Sequence, residues 1–325
     1  MPTPGKNDTL NGNFQGQDIL SLSQFDQKSL TKLFKHTLQM ADIAKNAKAS
    51  DLLKGNIVTL LFYEPSSRTF GSFGAAVKQL GGQTIEIQNP QQFSSVAKGE
   101  TLEDTIRVFE AYSDAIVIRH SEAGTASNAA RAAEFVPIIN AGDGIGEHPT
   151  QALLDLYTIY EKFGKLDNLK CVMVGDILNG RTVHSLLQGL SIYKKNTIYL
   201  LSPEKLRLPK GDFSYYKELG LNLIEIQSEK DIPHDAHLWY WTRVQKERFA
   251  SLVEYEKVKH AFILTPNLLA EKGNKHMIIM HPLPRVGEIL PEIDSDERAV
   301  YLRSEIRNGM YIRMALLGLI LGKIK

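Results

Sequence analysis

The residues with the most chemistry to offer sit in short polar runs that follow apolar ones. Glu64-Pro65-Ser66-Ser67-Arg68-Thr69 comes directly after the apolar run Ile57–Phe62 and before a helical pattern. Three hydroxyls and the backbone N–H groups of a helix start form an anion site, and Arg68 adds a charge-assisted fork. A helix cap needs only one Ser or Thr. The consecutive polar residues Ser66 to Thr69 exceed that need, so the run points to a phosphate or carboxylate ligand. It is not a P-loop, since no GxxxxGK[ST] occurs in the chain. Arg119-His120 ends another apolar run, and His148-Pro149-Thr150-Gln151 opens the next helical pattern. Ligands of open α/β sheets gather at the carboxyl ends of strands. Arg68, Arg119, His148 and Gln151 then describe a pocket for a phosphorylated, carbonyl-bearing ligand, although His148 taken singly reads as a helix N-cap.

A second group follows. Gly175-Asp176-Ile177-Leu178-Asn179-Gly180-Arg181-Thr182 lacks the G-x-G-x-x-G of a dinucleotide site, and Arg181 at a helix entry suggests another anion. Arg243-Val244-Gln245-Lys246-Glu247-Arg248 is either a basic loop or a solvated helix face. His281-Pro282-Leu283-Pro284-Arg285 is too rich in proline for a helix or central strand, so it reads as a rigid loop presenting carbonyls. Neither a pair of carboxylates for acid–base work nor a Ser-His-Asp order accompanies these residues.

The elements that must position them alternate. Apolar strands are expected at Ile57–Phe62, Thr84–Ile87, Ala115–Ile118 and Pro137–Ala141. A second set follows at Cys171–Val174, Thr197–Leu201, Leu221–Ile226, His237–Trp241, Ala261–Leu264 and Met277–Met280. Helical patterns lie between them. One carries Phe70, Phe73, Val77 and Leu80 on one face and stops at Gly81-Gly82. The alternation predicts an α/β protein of two domains, each a mostly parallel sheet with helices on both faces. A long helix from Pro149 joins them, and an apolar C-terminal helix packs back. The polar start, residues 1–17, reads as a mobile tail without a signal sequence.

Composition narrows the function. With 38 basic and 37 acidic residues, the chain lacks the basic excess of a nucleic-acid binder. A single cysteine, Cys171, excludes an intrachain disulfide and a cysteine-rich zinc site, and fits a reducing, cytoplasmic setting. No apolar run approaches the ~20 residues of a membrane span.

Seven stretches in order resemble the catalytic chains of the aspartate/ornithine carbamoyltransferase family, specifically the aspartate-using members. They are SSRT at 66–69, SVAKGETLEDT at 95–105, AYSDAIVIRH at 111–120, HPTQALLDL at 148–156, VGDILNGRTVHSL at 174–186, TRVQKER at 242–248 and HPLPRVGEI at 281–289. Ornithine users would show a His-Cys-Leu-Pro type loop in place of HPLP. The resemblance implies transfer of a carbamoyl group from carbamoyl phosphate to L-aspartate, an early step of pyrimidine synthesis, without metal or organic cofactor. It implies a carbamoyl phosphate domain over 18–149 and 305–325 and an aspartate domain over 150–304, with 150–164 as the linking helix.

The resemblance also assigns residues. Ser66, Ser67, Arg68 and Thr69 would hold phosphate, and Thr69, Arg119 and His148 would face the carbamoyl oxygen. Gln151 and the Pro282 and Leu283 carbonyls would orient the carbamoyl NH₂. Arg181 would grip the α-carboxylate of aspartate, and Arg243 with Gln245 the β-carboxylate. Ser94 and Lys98 would come from the neighbouring subunit of a homotrimer with shared sites, Lys98 meeting phosphate and aspartate. Glu64 would latch the closed domains through Arg181 and Arg248; the local alternative is a pair with Arg68 or Lys78. Phe70-Gly71 departs from the pattern, where Arg or Ser is common. Val253, Leu178 and Asn179 replace residues that link subunits in regulated members, so that style of control is not implied, although regulatory chains remain possible partners.

Overall fold

The computed structural model describes residues 9–93, 95–144, 146–246, 249, 251–259 and 261–325. The chain divides into two compact units, Met1–Leu154 with Arg307–Lys325, and Asp155–Ile306.

The first unit contains α1 (Gln27–Lys45), β1 (Ile57–Phe62), α2 (Ser67–Gln79), β2 (Gln83–Gln88), α3 (Pro90–Phe93), α4 (Leu102–Glu110), β3 (Ala115–His120), α5 (Thr125–Ala132) and β4 (Ile138–Asp143). Its sheet is parallel throughout, in the order β2-β1-β3-β4. Val58 to Phe62 are all buried, which is why β1 is apolar without alternation. The order reverses between β1 and β3, and there the register sets Phe62 beside Arg119. Tyr63 N–H continues the pairing by donating to the Arg119 carbonyl at 2.8 Å. Between β3 and β4 the register slips by one residue, with Ile118 opposite Asn140 but His120 opposite Asp143. Such a bulge re-aims side chains beside it.

The second unit begins within α6 (Pro149–Phe163). It holds β5 (Lys170–Val174), α7 (Arg181–Ser191), β6 (Thr197–Leu201), α8 (Lys210–Glu218), β7 (Asn222–Ile226), β8 (Leu238–Trp241), α9 (Leu252–Val258), α10 (Pro266–Lys272) and β9 (Ile278–Met280). The chain leaves it in α11 (Ser304–Ile320). All neighbours are parallel in the order β7-β6-β5-β8-β9, reversing between β5 and β8. Trp239 and Trp241 anchor its core with ring centroids 5.9 Å apart. Cys171 is fully buried, and burial pushes its thiol pKa up, so it packs as an inert side chain.

Two expectations are corrected. The start of the chain is packed from residue 9 onward, not a mobile tail to 17. Leu10 and Phe14 are buried, Phe14 lies edge-on to Phe25, and Gly16 N–H donates to the Ile320 carbonyl at 2.8 Å. The two apolar anchors Leu10 and Phe14 are enough to bind an otherwise polar, irregular segment. Residues 1–8 lie outside the described residues. Ala261–Leu264 forms no strand among its described residues. Leu264 makes a single bridge to Ile289 before Thr265 caps α10. Before Lys98, α3 is followed by a 3₁₀ turn at Ser95–Lys98.

Candidate active site

In the first unit the polar run becomes the entry of α2. Ser66 stands at its N-cap position without a side-chain capping bond. As at any helix start, the first-turn N–H groups have no acceptor one turn back, and the helix dipole favours an anion there. Ser67 and Arg68 are exposed and Thr69 is buried. Phe70 turns away from this end to stack edge-on against Phe62, with centroids 5.1 Å apart. Its ring is a core contact, which accounts for the apolar residue after SSRT.

Arg119 is 6% exposed at the end of β3. Its Nη1 donates to the Ala141 carbonyl at 3.0 Å, and Nη2 pairs with Glu64 Oε2 at 2.7 Å. Glu64 therefore has Arg119 as a partner in its own unit, while Lys78 pairs with Glu86 at 2.8 Å. Strand register explains the choice, because the loop after β1 runs directly beside the end of β3. The bulge in β4 brings Gly142 under the guanidinium. A Cβ there would lie 2.7 Å from Arg119 Nη1 and 3.5 Å from His148 Cδ2, and its φ is +115°. Arg119 and His148 thus meet around one glycine. His148 is buried immediately before α6, with Nδ1 3.5 Å from Thr150 Oγ1. Gln151, half-buried, lies in the first turn of α6.

Residues with no strong sequence signal hold this arrangement. Asp143 accepts from Gly124 N–H and Glu147 N–H, each at 3.0 Å, and so shapes the turn that delivers His148. Burial raises its pKa against those hydrogen bonds. Glu147, also raised by burial, accepts from Ser21 Oγ at 2.6 Å and Leu22 N–H at 2.8 Å. Arg313 on α11 is buried over the Phe73 ring and donates to Ser72 Oγ at 2.9 Å, propping α2 from below.

The second unit builds its cationic site differently. Arg181 is the first residue of α7 and is half-buried, as are Arg243 and Gln245 after β8. The loops carrying them converge on the buried Asp176. It accepts from Asn179 N–H at 2.9 Å, Asn179 Nδ2 at 3.1 Å and Gln245 N–H at 3.3 Å. Gln245 Nε2 donates to the Asn179 carbonyl at 2.8 Å. Burial raises the Asp176 pKa, opposed by those hydrogen bonds and by the Arg243 charge. Arg248 and Ser94 lie outside the described residues. Lys98 is exposed, and no described carboxylate forms an ion pair with it.

The 281–288 loop is wired through its own side chains. Leu283 N–H donates to His281 Nδ1 at 2.8 Å, so the ring proton sits on Nε2, 2.6 Å from Glu288 Oε1. Burial lowers the His281 pKa and keeps the ring neutral. For Glu288 burial pushes upward, but the His281 bond and backbone N–H groups together hold it below the ordinary value. Leu283 adopts φ +50°, which this bonding maintains in a non-glycine residue. Among the described residues no group of three or more His, Cys, Asp or Glu is arranged to hold a metal ion, and no helix is long and apolar enough to cross a membrane.

Comparison with known proteins covers both units. Residues 17–161 match the family described as aspartate/ornithine carbamoyltransferase, carbamoyl-P binding domain, and residues 167–320 match its Asp/Orn binding domain. The chain is 47% identical over 324 residues to the multifunctional protein pyr1-3 of Dictyostelium discoideum, matching 98% of this chain but only 14% of that protein. It is 46% identical over 309 residues to the chloroplastic aspartate carbamoyltransferase 3 of Pisum sativum, covering 95% of this chain and 78% of the relative. The structure of Trypanosoma cruzi aspartate transcarbamoylase in complex with carbamoyl phosphate and aspartate superposes with a TM-score of 0.87 at 35% identity, covering 97% of this chain and 100% of that one.

Proposed function

The chain belongs to the aspartate/ornithine carbamoyltransferase family, and on that basis we propose that it is an aspartate carbamoyltransferase, converting carbamoyl phosphate and L-aspartate to N-carbamoyl-L-aspartate and phosphate in pyrimidine synthesis. The observation that carries the chemistry is the meeting of Arg119 and His148 around Gly142. Ser66, Ser67, Arg68 and Thr69 bind the phosphate at the α2 N-terminus. Thr69, Arg119 and His148 aim donors at the carbamoyl oxygen, where negative charge grows as the carbon becomes tetrahedral. Gln151 and the Pro282 and Leu283 carbonyls orient the carbamoyl NH₂. Arg181 takes the α-carboxylate of aspartate, and Arg243 with Gln245 the β-carboxylate.

The amine nitrogen of aspartate attacks the carbamoyl carbon, the carbon–oxygen bond to phosphate breaks, and the departing phosphate takes the amine proton. Orienting the two reactants contributes up to ~7–11 kcal/mol of barrier lowering. A homotrimer in which Ser94 and Lys98 complete a neighbour's site belongs to the same proposal. So does an exchange of Glu64 from Arg119 to Arg181 and Arg248 on closure. A cytoplasmic setting belongs to the same proposal.

Incubation with carbamoyl phosphate and L-aspartate should form carbamoyl-aspartate, and L-ornithine should not substitute. Turnover of ornithine, or none of aspartate, overturns the assignment. Mixing Lys98→Ala with Arg68→Ala chains should restore activity in exchanged hybrids if sites are shared.

A further inference from the structure

A buried acid pair has no part in the chemistry above. Asp155 on α6 is fully buried, and Glu305, the second residue of α11, is 3% exposed. These helices carry the chain into and out of the second unit. The Tyr240 hydroxyl at the centre of β8 donates to Asp155 Oδ2 at 2.8 Å. Glu305 Oε2 accepts the backbone N–H of His281 at 3.2 Å, while Oε1 is buried with no hydrogen-bond partner among the described residues. His281 is the residue from which the Pro282–Leu283 loop departs.

We propose that the buried Glu305 carries a proton, and that it is thereby the positioning residue that fixes the start of the Pro282–Leu283 loop. Two ionised carboxylates this deeply buried and bearing on one another would be costly, since each loses hydration and repels the other. The neutral acid removes both costs. Its hydroxyl is Oε1, the oxygen without a donor, and its carbonyl is Oε2, which accepts from His281. Burial and the Asp155 charge both raise the Glu305 pKa, outweighing the opposing pull of that backbone bond. The first turn of a helix ordinarily favours a charged carboxylate, so the position is one where burial and repulsion override the dipole. The functional consequence rests on the assignment of the Pro282 and Leu283 carbonyls to the carbamoyl NH₂.

Glu305→Gln supplies the test, because its amide offers one donor and one acceptor as the protonated acid does. Infrared spectra at neutral pH should show a protonated carboxyl C=O stretch in the wild type that Glu305→Gln removes. Glu305→Gln should retain kcat and the carbamoyl phosphate KM within about threefold. Glu305→Leu, with no acceptor for His281, should lose about tenfold or more in kcat/KM for carbamoyl phosphate, the scale of one hydrogen bond. Inorganic phosphate should bind Glu305→Leu as it binds the wild type. Absence of the band, a loss of tenfold or more in Glu305→Gln, or wild-type kinetics in Glu305→Leu each overturn the proposal. Should Glu305→Leu fail to fold, Glu305→Gln and the band decide. Product formation by the wild type is measured alongside, so a failure of the assigned reaction is separable from a failure of the pair.

Discussion

The two units present cations in opposite ways. In the first, the cation itself is bolted down: Arg119 is buried, bonded to the Ala141 carbonyl and paired with Glu64. In the second, buried carboxylates fix the backbone from which the polar side chains project. Asp176 gathers the loops of Arg181 and Gln245, and Glu288 with His281 shapes the proline loop. A group that must meet charge developing in a transition state gains from being preorganised in a dry setting. Groups that hold a substrate's carboxylates need placement but can keep contact with water.

The sharpest break in this contrast is Arg119→Met. It removes a preorganised donor and leaves Glu64 without its cation, so kcat should fall by about 10³-fold while the fold survives; the comparison is kcat against circular dichroism. Retention of kcat within tenfold would contradict preorganisation in the first unit. Next comes Asp176→Ala, which strands buried donors and frees the loop of Gln245. The KM for aspartate should rise by roughly 10–100-fold, with carbamoyl phosphate binding by calorimetry unchanged. A rise in both would mean that Asp176 supports more than the second unit's site.

Gly142→Ala should act more mildly. Its Cβ would press on the Arg119 guanidinium at 2.7 Å, in a backbone conformation that alanine disfavours. We expect about 1–3 kcal/mol of destabilisation by urea melts, with kcat reduced more than the aspartate KM is changed.

Acidity probes the wiring of the second unit. The folded His281 pKa lies below its ordinary value of 6.5 because of burial, so the unfolded state binds the proton more readily. Stability from this group is full above 6.5 and is lost as pH falls toward the folded pKa. His281→Asn should flatten the acid limb of the melting curve by about 2–4 °C. An unchanged limb would place the acid sensitivity elsewhere. The smallest effect belongs to Gly71→Ala, since nothing lies within 4 Å of the added Cβ. It should stabilise α2 by about 0.5–1 kcal/mol without altering kinetics, and altered kinetics would give this position a role in the site.

Much of this protein was legible in local pattern. Continuous apolar runs announced both parallel sheets, because strands buried on both faces leave no polar alternation, and Ser66 to Thr69 announced a helix start. Where reading by pattern failed, the deciding interaction was between residues far apart in the chain. Phe14 looks like an isolated apolar residue in a polar tail until Phe25 supplies its partner and α11 accepts the N–H of nearby Gly16. Ala261–Leu264 has strand composition, yet it pairs only once, with Ile289. Glu64 could not be matched to Arg119 from spacing, since the pair depends on β1 lying beside β3 in one register. Nor does composition show that Gly142 must be bare, or that Asp155 and Glu305 are both buried. Residue type and periodicity determine which segments become strands, helices and anion-binding turns, because those are set by local backbone sterics and side-chain chemistry. Which buried charge faces which depends on sheet order, register and bulges, and only the tertiary structure decides those.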